Sequence, residues 1–139
     1  MNILIADSGA SKTDWVLVGE EQPQFIQTEG LNPNLVSATE FMNVLIKELK
    51  PNLSGKAVGR IYFYGSGCGS SQKKTEVERY IKEVFEFAEV KVGTDLDAAG
   101  LALFGKKEGI VCILGTGSSA GFFKDGEDKG REIVCIQRL

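Results

Sequence analysis

Histidine is absent from this chain of 139 residues. Its absence excludes Ser-His-Asp triads, Cys-His dyads and histidine-ligated metal centres. Any acid–base chemistry falls to carboxylates, Lys, Tyr or Cys, and any metal is a hard, oxygen-ligated ion such as Mg2+. Cysteine is scarce: Cys68, Cys112 and Cys135 are widely spaced and form no CxxC pair, which argues against a zinc ribbon or a local iron–sulfur motif. They read as small buried apolar residues in or near strands. No run approaches the length of a membrane span. No basic excess exists either; the net charge of −3 gives no electrostatic reason to expect nucleic acid or an anionic membrane as partner. The start of the chain enters a strand at once, with no basic flank or cleavage site, so a cytoplasmic address is expected.

What is present is an ordinary globular composition, 42% hydrophobic and 25% charged. A chain of this size fits one domain or one lobe of a larger fold, and can bury roughly two-thirds of its unfolded surface.

The residue pattern alternates between strand and helix. Residues 2–6 read as a buried strand, and Asp14 to Val18 and Gln24 to Thr28 as two more. Ser37-Ala38-Thr39-Glu40 is a capping box. Phe41, Val44, Leu45 and Leu49 follow on one helical face, and Pro51 is expected to stop that helix. Arg60 to Tyr64 is a fourth strand, ending at Gly65-Ser66-Gly67-Cys68-Gly69. Ser71 to Phe87 reads as an amphipathic helix, Glu89 to Gly93 as a strand, and Asp95 to Phe104 as a short helix. Gly109 to Leu114 and Gly121 to Lys124 extend again, with a charged turn at 125–130 and a short strand at Glu132 to Ile136. The order βββαβαβα forms an α/β unit with a mixed sheet, and the tail resembles the opening of a second such unit.

Two glycine loops carry the chemistry. Asp7-Ser8-Gly9-Ala10-Ser11-Lys12-Thr13 follows the apolar run Ile3-Leu4-Ile5-Ala6, and Gly115-Thr116-Gly117-Ser118-Ser119 follows Ile110 to Leu114. Neither is a Walker A loop or a dinucleotide fingerprint. The first has Ser11 where Gly must precede Lys12-Thr13, and a strand follows it; the second has Ala120 where a third Gly belongs. Both still suit phosphate oxygens. Asp7 sits at the carboxyl end of a strand, where open α/β sheets place ligands, and its carboxylate can hold Mg2+ through the metal's waters. Gly9 allows close backbone approach, and Ser11, Lys12 and Thr13 can donate to phosphate oxygens. Thr116, Ser118 and the amides of Gly115 and Gly117 offer a matching clamp. Between the loops lies Gly93-Thr94-Asp95-Leu96-Asp97-Ala98-Ala99-Gly100. Asp95 or Asp97 can serve as a helix N-cap, or as the general base that takes a proton from an attacking hydroxyl. Phosphoryl transfer otherwise needs mainly positioning and charge neutralisation.

Asp7-x-Gly9-x-Ser11-Lys12-Thr13, the Asp95 stretch and Gly115-Thr116-Gly117-Ser118 occur in the order typical of a known family. Over residues 2–124 the chain resembles the N-acetylglucosamine kinase and BadF/BadG/BcrA/BcrD-type ATPase family, within the actin, hexokinase and heat-shock-protein-70 superfamily. The resemblance implies a ribonuclease-H-like, actin-like ATPase lobe with ATP and Mg2+ as cofactors. It maps the catalytic Asp to Asp95, with Asp97 second, and the phosphate loops to Asp7–Thr13 and Gly115–Ser118. It also maps a sugar-contacting Asn to Asn32, with Asn34 second, and a sugar-proximal glycine loop to the segment around Gly67. That loop lacks the Asp of the animal kinases. No cysteine pattern matches the cluster of the acyl-CoA dehydratase activators, which favours the kinase side over an ATP-hydrolysing switch.

Family members carry a second lobe that holds the adenosine and closes over the nucleotide. The chain stops at Leu139, and Gly130 to Leu139 does not resemble the family's continuation. The expectation is therefore a lobe at 1–105 and the first strands of a second lobe at 106–139, in a fragment or half of a split enzyme. Small-molecule sugar and nucleotide are the expected ligands, and self-association, as a homodimer or through the incomplete lobe, is expected to cover its apolar edge.

Overall fold

The computed structural model describes residues 1–19, 22–114, 118–124 and 127–135. The chain divides into two compact units, Met1–Gly93 and Thr94–Leu139. The elements run β1 (Asn2–Ser8), β2 (Lys12–Val18), β3 (Gln24–Glu29), α1 (Ala38–Val44), a π-helical turn (Leu45–Leu49), α2 (Lys50–Asn52), β4 (Val58–Gly65), α3 (Ser71–Val84), β5 (Glu89–Thr94), α4 (Asp95–Phe104), β6 (Gly109–Leu114), β7 (Ser118–Lys124) and β8 (Glu127–Cys135). This is the expected βββαβαβα order followed by a strand meander.

The first unit is a five-stranded mixed sheet in the order β3-β2-β1-β4-β5. β1 and β2 are antiparallel, as are β2 and β3, whereas β1 and β4 are parallel. A parallel pair needs a long crossover, and α1 with its π turn and α2 supplies it. The period-2 pattern of the strands decides what they bury. Leu4, Ala6, Trp15, Leu17, Ile61 and Phe63 face one side and are at most 3% exposed. Phe41, Leu45 and Leu49 from the first helical segment and Val77 and Ile81 from α3 pack onto the same core. Its centre is aromatic: Phe63 lies 5.9 Å from Trp15 and 5.8 Å from Phe41, with tilted rings.

Several boundaries differ from the sequence reading. The capping box forms as expected, with Ser37 Oγ accepting from Glu40 N–H and the Glu40 carboxylate accepting from Ser37 N–H. Pro51 does not stop the helix, which runs on to Asn52. Proline lacks a donor and collides with the carbonyl four residues back in an α-helix. Here the preceding five residues widen into a π turn, in which Lys50 N–H reaches Leu45 O. α3 ends at Val84 rather than Phe87, because Phe85 leaves helical geometry at φ −122 and ψ 67. β2 begins at Lys12, so Lys12 and Thr13 are strand residues. β8 begins at Glu127, so most of the expected charged turn is strand.

The second unit consists of α4 and the antiparallel meander β6-β7-β8. Leu96 is its buried anchor at 1% exposure, packed with Ala99, Phe104 and Ile113. No helix among the described residues is long and apolar enough to cross a membrane.

Candidate nucleotide and acceptor site

The turn between β1 and β2 sits where the sheet's polar residues gather. Gly9 N–H donates to Lys12 O at 2.9 Å and closes the turn. Two rows of side chains cross the sheet beside it, one on each face. On the outer face Gln27, Asp14, Asp7 and Tyr64 are neighbours across β3, β2, β1 and β4. On the core face the corresponding row is Thr28, Thr13, Ser8 and Gly65.

The outer row presents charge. Asp7 is exposed at the carboxyl end of β1. Asp14 accepts from Gln27 Nε2 at 2.8 Å and pairs with Lys12 Nζ at 3.0 Å. The Gln27 hydrogen bond, then the Lys12 hydrogen bond, hold the Asp14 carboxyl below its ordinary value against the opposing push of desolvation. The Lys12–Asp14 pair is open to solvent on both sides, so it is a weak tether for the ammonium. Among the described residues no group of three or more acidic or cysteine side chains could enclose a metal. The donor set is a hard carboxylate, which fits Mg2+ held mainly through its own waters.

The inner row is a closed polar network. Trp15 Nε1 donates to Thr28 Oγ1 at 3.0 Å, and Thr28 Oγ1 and Thr13 Oγ1 both donate to Glu29 O, at 3.1 and 3.0 Å. Ser8 Oγ and Thr13 Oγ1 are 2.8 Å apart. Thr13 is fully buried. Its hydroxyl is therefore part of the frame beneath the turn, while the neighbouring Ser11 and Lys12 are exposed.

The acceptor candidates lie in the same cluster. Asn32 Oδ1 accepts from Asn34 N–H at 2.9 Å, and Asn32 Nδ2 donates to Ser66 Oγ at 3.4 Å. Gly67 has φ +81, and a Cβ there would stand 2.9 Å from Asn32 Cγ and 3.0 Å from Asn34 Nδ2. Asn32, Asn34 and Gly67 thus meet although they are far apart in sequence. Gly30 was not singled out by its motif. A Cβ on it would lie 2.8 Å from Gly9 O and closer still to the Ala10 carbonyl, so this strand exit packs directly on the backbone of the β1–β2 turn. Ser8 and Ser66 carry no motif of their own; a small polar residue at a core-facing position opposite Thr13 is the signal that marks Ser8.

In the second unit Thr94 is the N-cap of α4. Its Oγ1 accepts from Asp97 N–H at 3.0 Å, and Asp97 Oδ2 accepts from Thr94 N–H at 2.8 Å. Asp97 is 7% exposed. Asp95, at the first helical position, is half-buried, and its Oδ1 accepts the neighbouring Leu96 N–H at 3.0 Å. Gly115, Thr116 and Gly117 lie outside the described residues; Ser118 is the first residue of β7. A hollow of about 530 Å3 beside Leu53, Val58, Val84 and Phe87 lies at the opposite end of β4 and takes no part in this cluster.

No protein-family profile matches the chain, and no curated protein does. Solved structures do. A candidate N-acetylglucosamine kinase from Porphyromonas gingivalis is 36% identical, over 94% of this chain and 47% of that one, with a TM-score of 0.85. A candidate N-acetylglucosamine kinase from Chromobacterium violaceum matches at 17% identity and TM-score 0.62, over 92% of this chain and 47% of that one. A ROK hexokinase from Thermus thermophilus matches at 15% identity and TM-score 0.60, over 93% and 48%. The last two likenesses speak to the fold alone. The chain spans about half the length of each of these structures.

Proposed function

We propose that this chain, which belongs to the actin-like ATPase, hexokinase and heat-shock-protein-70 superfamily, forms the acceptor- and phosphate-contacting lobe of an ATP-dependent kinase for an amino sugar of the N-acetylglucosamine type. The observation that carries the reading is the 36% identity, across 94% of the chain, to a candidate N-acetylglucosamine kinase. Bound ATP supplies the transferable phosphoryl group, and Mg2+ neutralises its charge.

The residues divide the remaining work. Asp7, near the end of β1, would hold the metal through its waters. The Gly9–Lys12 turn would offer backbone and the Ser11 hydroxyl to phosphate oxygens, and Lys12, tethered to Asp14 by a solvent-open pair, would supply a compact positive charge there. Thr13 supports the turn from below through its bond to Glu29 O. Gly115, Thr116, Gly117 and Ser118 serve as the second phosphate loop. Asn32 and the Gly67 segment hold the acceptor sugar.

Asp95 is the better candidate for the base, because both polar faces of the α4 cap already engage Asp97. Among the described residues the Asp95 carboxylate accepts one local bond, which leaves it further lone pairs. General-base help is worth about 10²–10⁴-fold in rate.

The test is ADP release from Mg-ATP by the complete protein containing this chain, with and without a panel of amino sugars. Turnover that depends on N-acetylglucosamine is expected. Turnover indifferent to every sugar would replace the kinase with an ATP-hydrolysing switch.

A further inference from the structure

One buried hydroxyl holds the phosphate turn and the acceptor segment together. Ser8 Oγ accepts from Leu31 N–H at 3.2 Å and lies 2.8 Å from Thr13 Oγ1. A hydroxyl carries one proton, and that of Thr13 is given to the Glu29 carbonyl, which can only accept. The Ser8–Thr13 bond therefore has a fixed sense, with Ser8 donating. The chain runs Leu31 N–H to Ser8, Ser8 to Thr13, and Thr13 to Glu29 O, with every proton used. The backbone of Ser8 adds a third arm, because its carbonyl accepts Ser66 N–H at 2.9 Å.

The three arms end next to the groups proposed to hold ligands. Leu31 precedes Asn32, Ser66 precedes Gly67, and Thr13 follows Lys12. Asn32 and Ser66 are themselves linked, and Gly30 rests on the Gly9–Ala10 backbone. Ser8 is 1% exposed and Thr13 0%, so water cannot substitute for a lost arm without entering the core.

We propose that Ser8 is a positioning residue that makes the phosphate turn, the 30–34 segment and the 65–67 segment move as one body, so that acceptor binding and nucleotide affinity are coupled through it. The ligands named here rest on the kinase reading above; the mechanical junction does not. Ser8 touches neither ligand. Its effect is transmitted because a displaced Leu31 amide carries Asn32 with it, and a displaced Ser8 carbonyl carries Ser66 and Gly67.

Two measurements test this on the full chain with Ser8→Ala, Thr13→Val and Thr13→Ser. The first is amide hydrogen exchange without any ligand. Ser8→Ala is expected to speed exchange at Leu31 and also at Ser66, whose partner is a carbonyl that the substitution leaves in place. Acceleration confined to Leu31 would overturn the junction. The second is Mg-ATP affinity with and without saturating N-acetylglucosamine. The sugar is expected to tighten nucleotide binding at least about 5-fold in the unmodified chain, within the usual range of coupling between sites. Ser8→Ala and Thr13→Val should reduce that factor below about 2-fold, and Thr13→Ser, which keeps the hydroxyl, should retain it. An unchanged factor in Ser8→Ala removes the proposal. Failure of the unmodified chain to bind Mg-ATP at millimolar concentration would count against the kinase reading, and the exchange measurement would still decide the junction.

Discussion

Asp97 and Thr94 cap one another: the carboxylate of Asp97 accepts the Thr94 amide at 2.8 Å while the Thr94 hydroxyl accepts the Asp97 amide at 3.0 Å. The pair starts α4 directly at the end of β5, and Asp95 stands beside it, accepting the Leu96 N–H.

These two aspartates should therefore separate on substitution. Asp97→Ala removes a cap and is expected to destabilise the fold by about 1–2 kcal/mol, read from the urea midpoint. Asp95→Asn should cost less than Asp97→Ala, because the Asn side-chain oxygen can still accept the Leu96 N–H and the Thr94–Asp97 pair is untouched. In the complete enzyme it should lower kcat by about 10²-fold or more with nucleotide binding retained. Unchanged kcat would remove Asp95 as the base.

Gly67→Ala places a methyl group against Asn32 and Asn34 at a residue whose φ of +81 disfavours any side chain. The acceptor segment must shift to admit it. The expected result in the complete enzyme is a large rise in KM for the sugar, with KM for ATP changed much less. Equal effects on both constants would show that the 65–67 segment does not contact the acceptor.

Asp14 titrates below the ordinary carboxylate range because Gln27 and Lys12 favour its charged form. A depressed folded-state value means the associated stability is present above the unfolded value of 3.8 and is lost as pH falls through the folded one. Gln27→Ala should move the Asp14 carboxyl resonance back toward 3.8, seen by NMR titration. An unmoved midpoint would assign the depression to Lys12 alone.

Trp15 is the single tryptophan, 1% exposed and bonded through Nε1 to Thr28. Its emission should be blue-shifted in the folded chain and shift red on denaturation. Trp15→Phe loses ring volume beside Phe63 and leaves the Thr28 oxygen short of a donor, and should cost about 1–3 kcal/mol in urea.

Much of this was legible in the chain because it is local. The capping box at Ser37, the alternation of Leu4 and Ala6, and the span of α4 follow from residues a few positions apart. Pro51 misled because a π turn in the preceding residues absorbed its clash, and a hydrogen-bond shift of one residue leaves no sequence mark. Thr13 misled for another reason. A hydroxyl in a glycine loop looks exposed until strand register sets it opposite Ser8, on the core face.

The sequence by itself determined the element order, the glycine turn after a buried strand, the absence of histidine chemistry and the pair of candidate bases. Those rest on composition, periodicity and local spacing, which the chain carries wherever it folds. Only the tertiary structure decided that Asn32, Ser66 and Gly67 share one cluster with the phosphate turn, and that Ser8 and Thr13 face inward beneath it. These placements are fixed by sheet order and register and by the need to satisfy every buried hydroxyl; even Ser8 and Thr13, five residues apart, meet only because β1 pairs with β2.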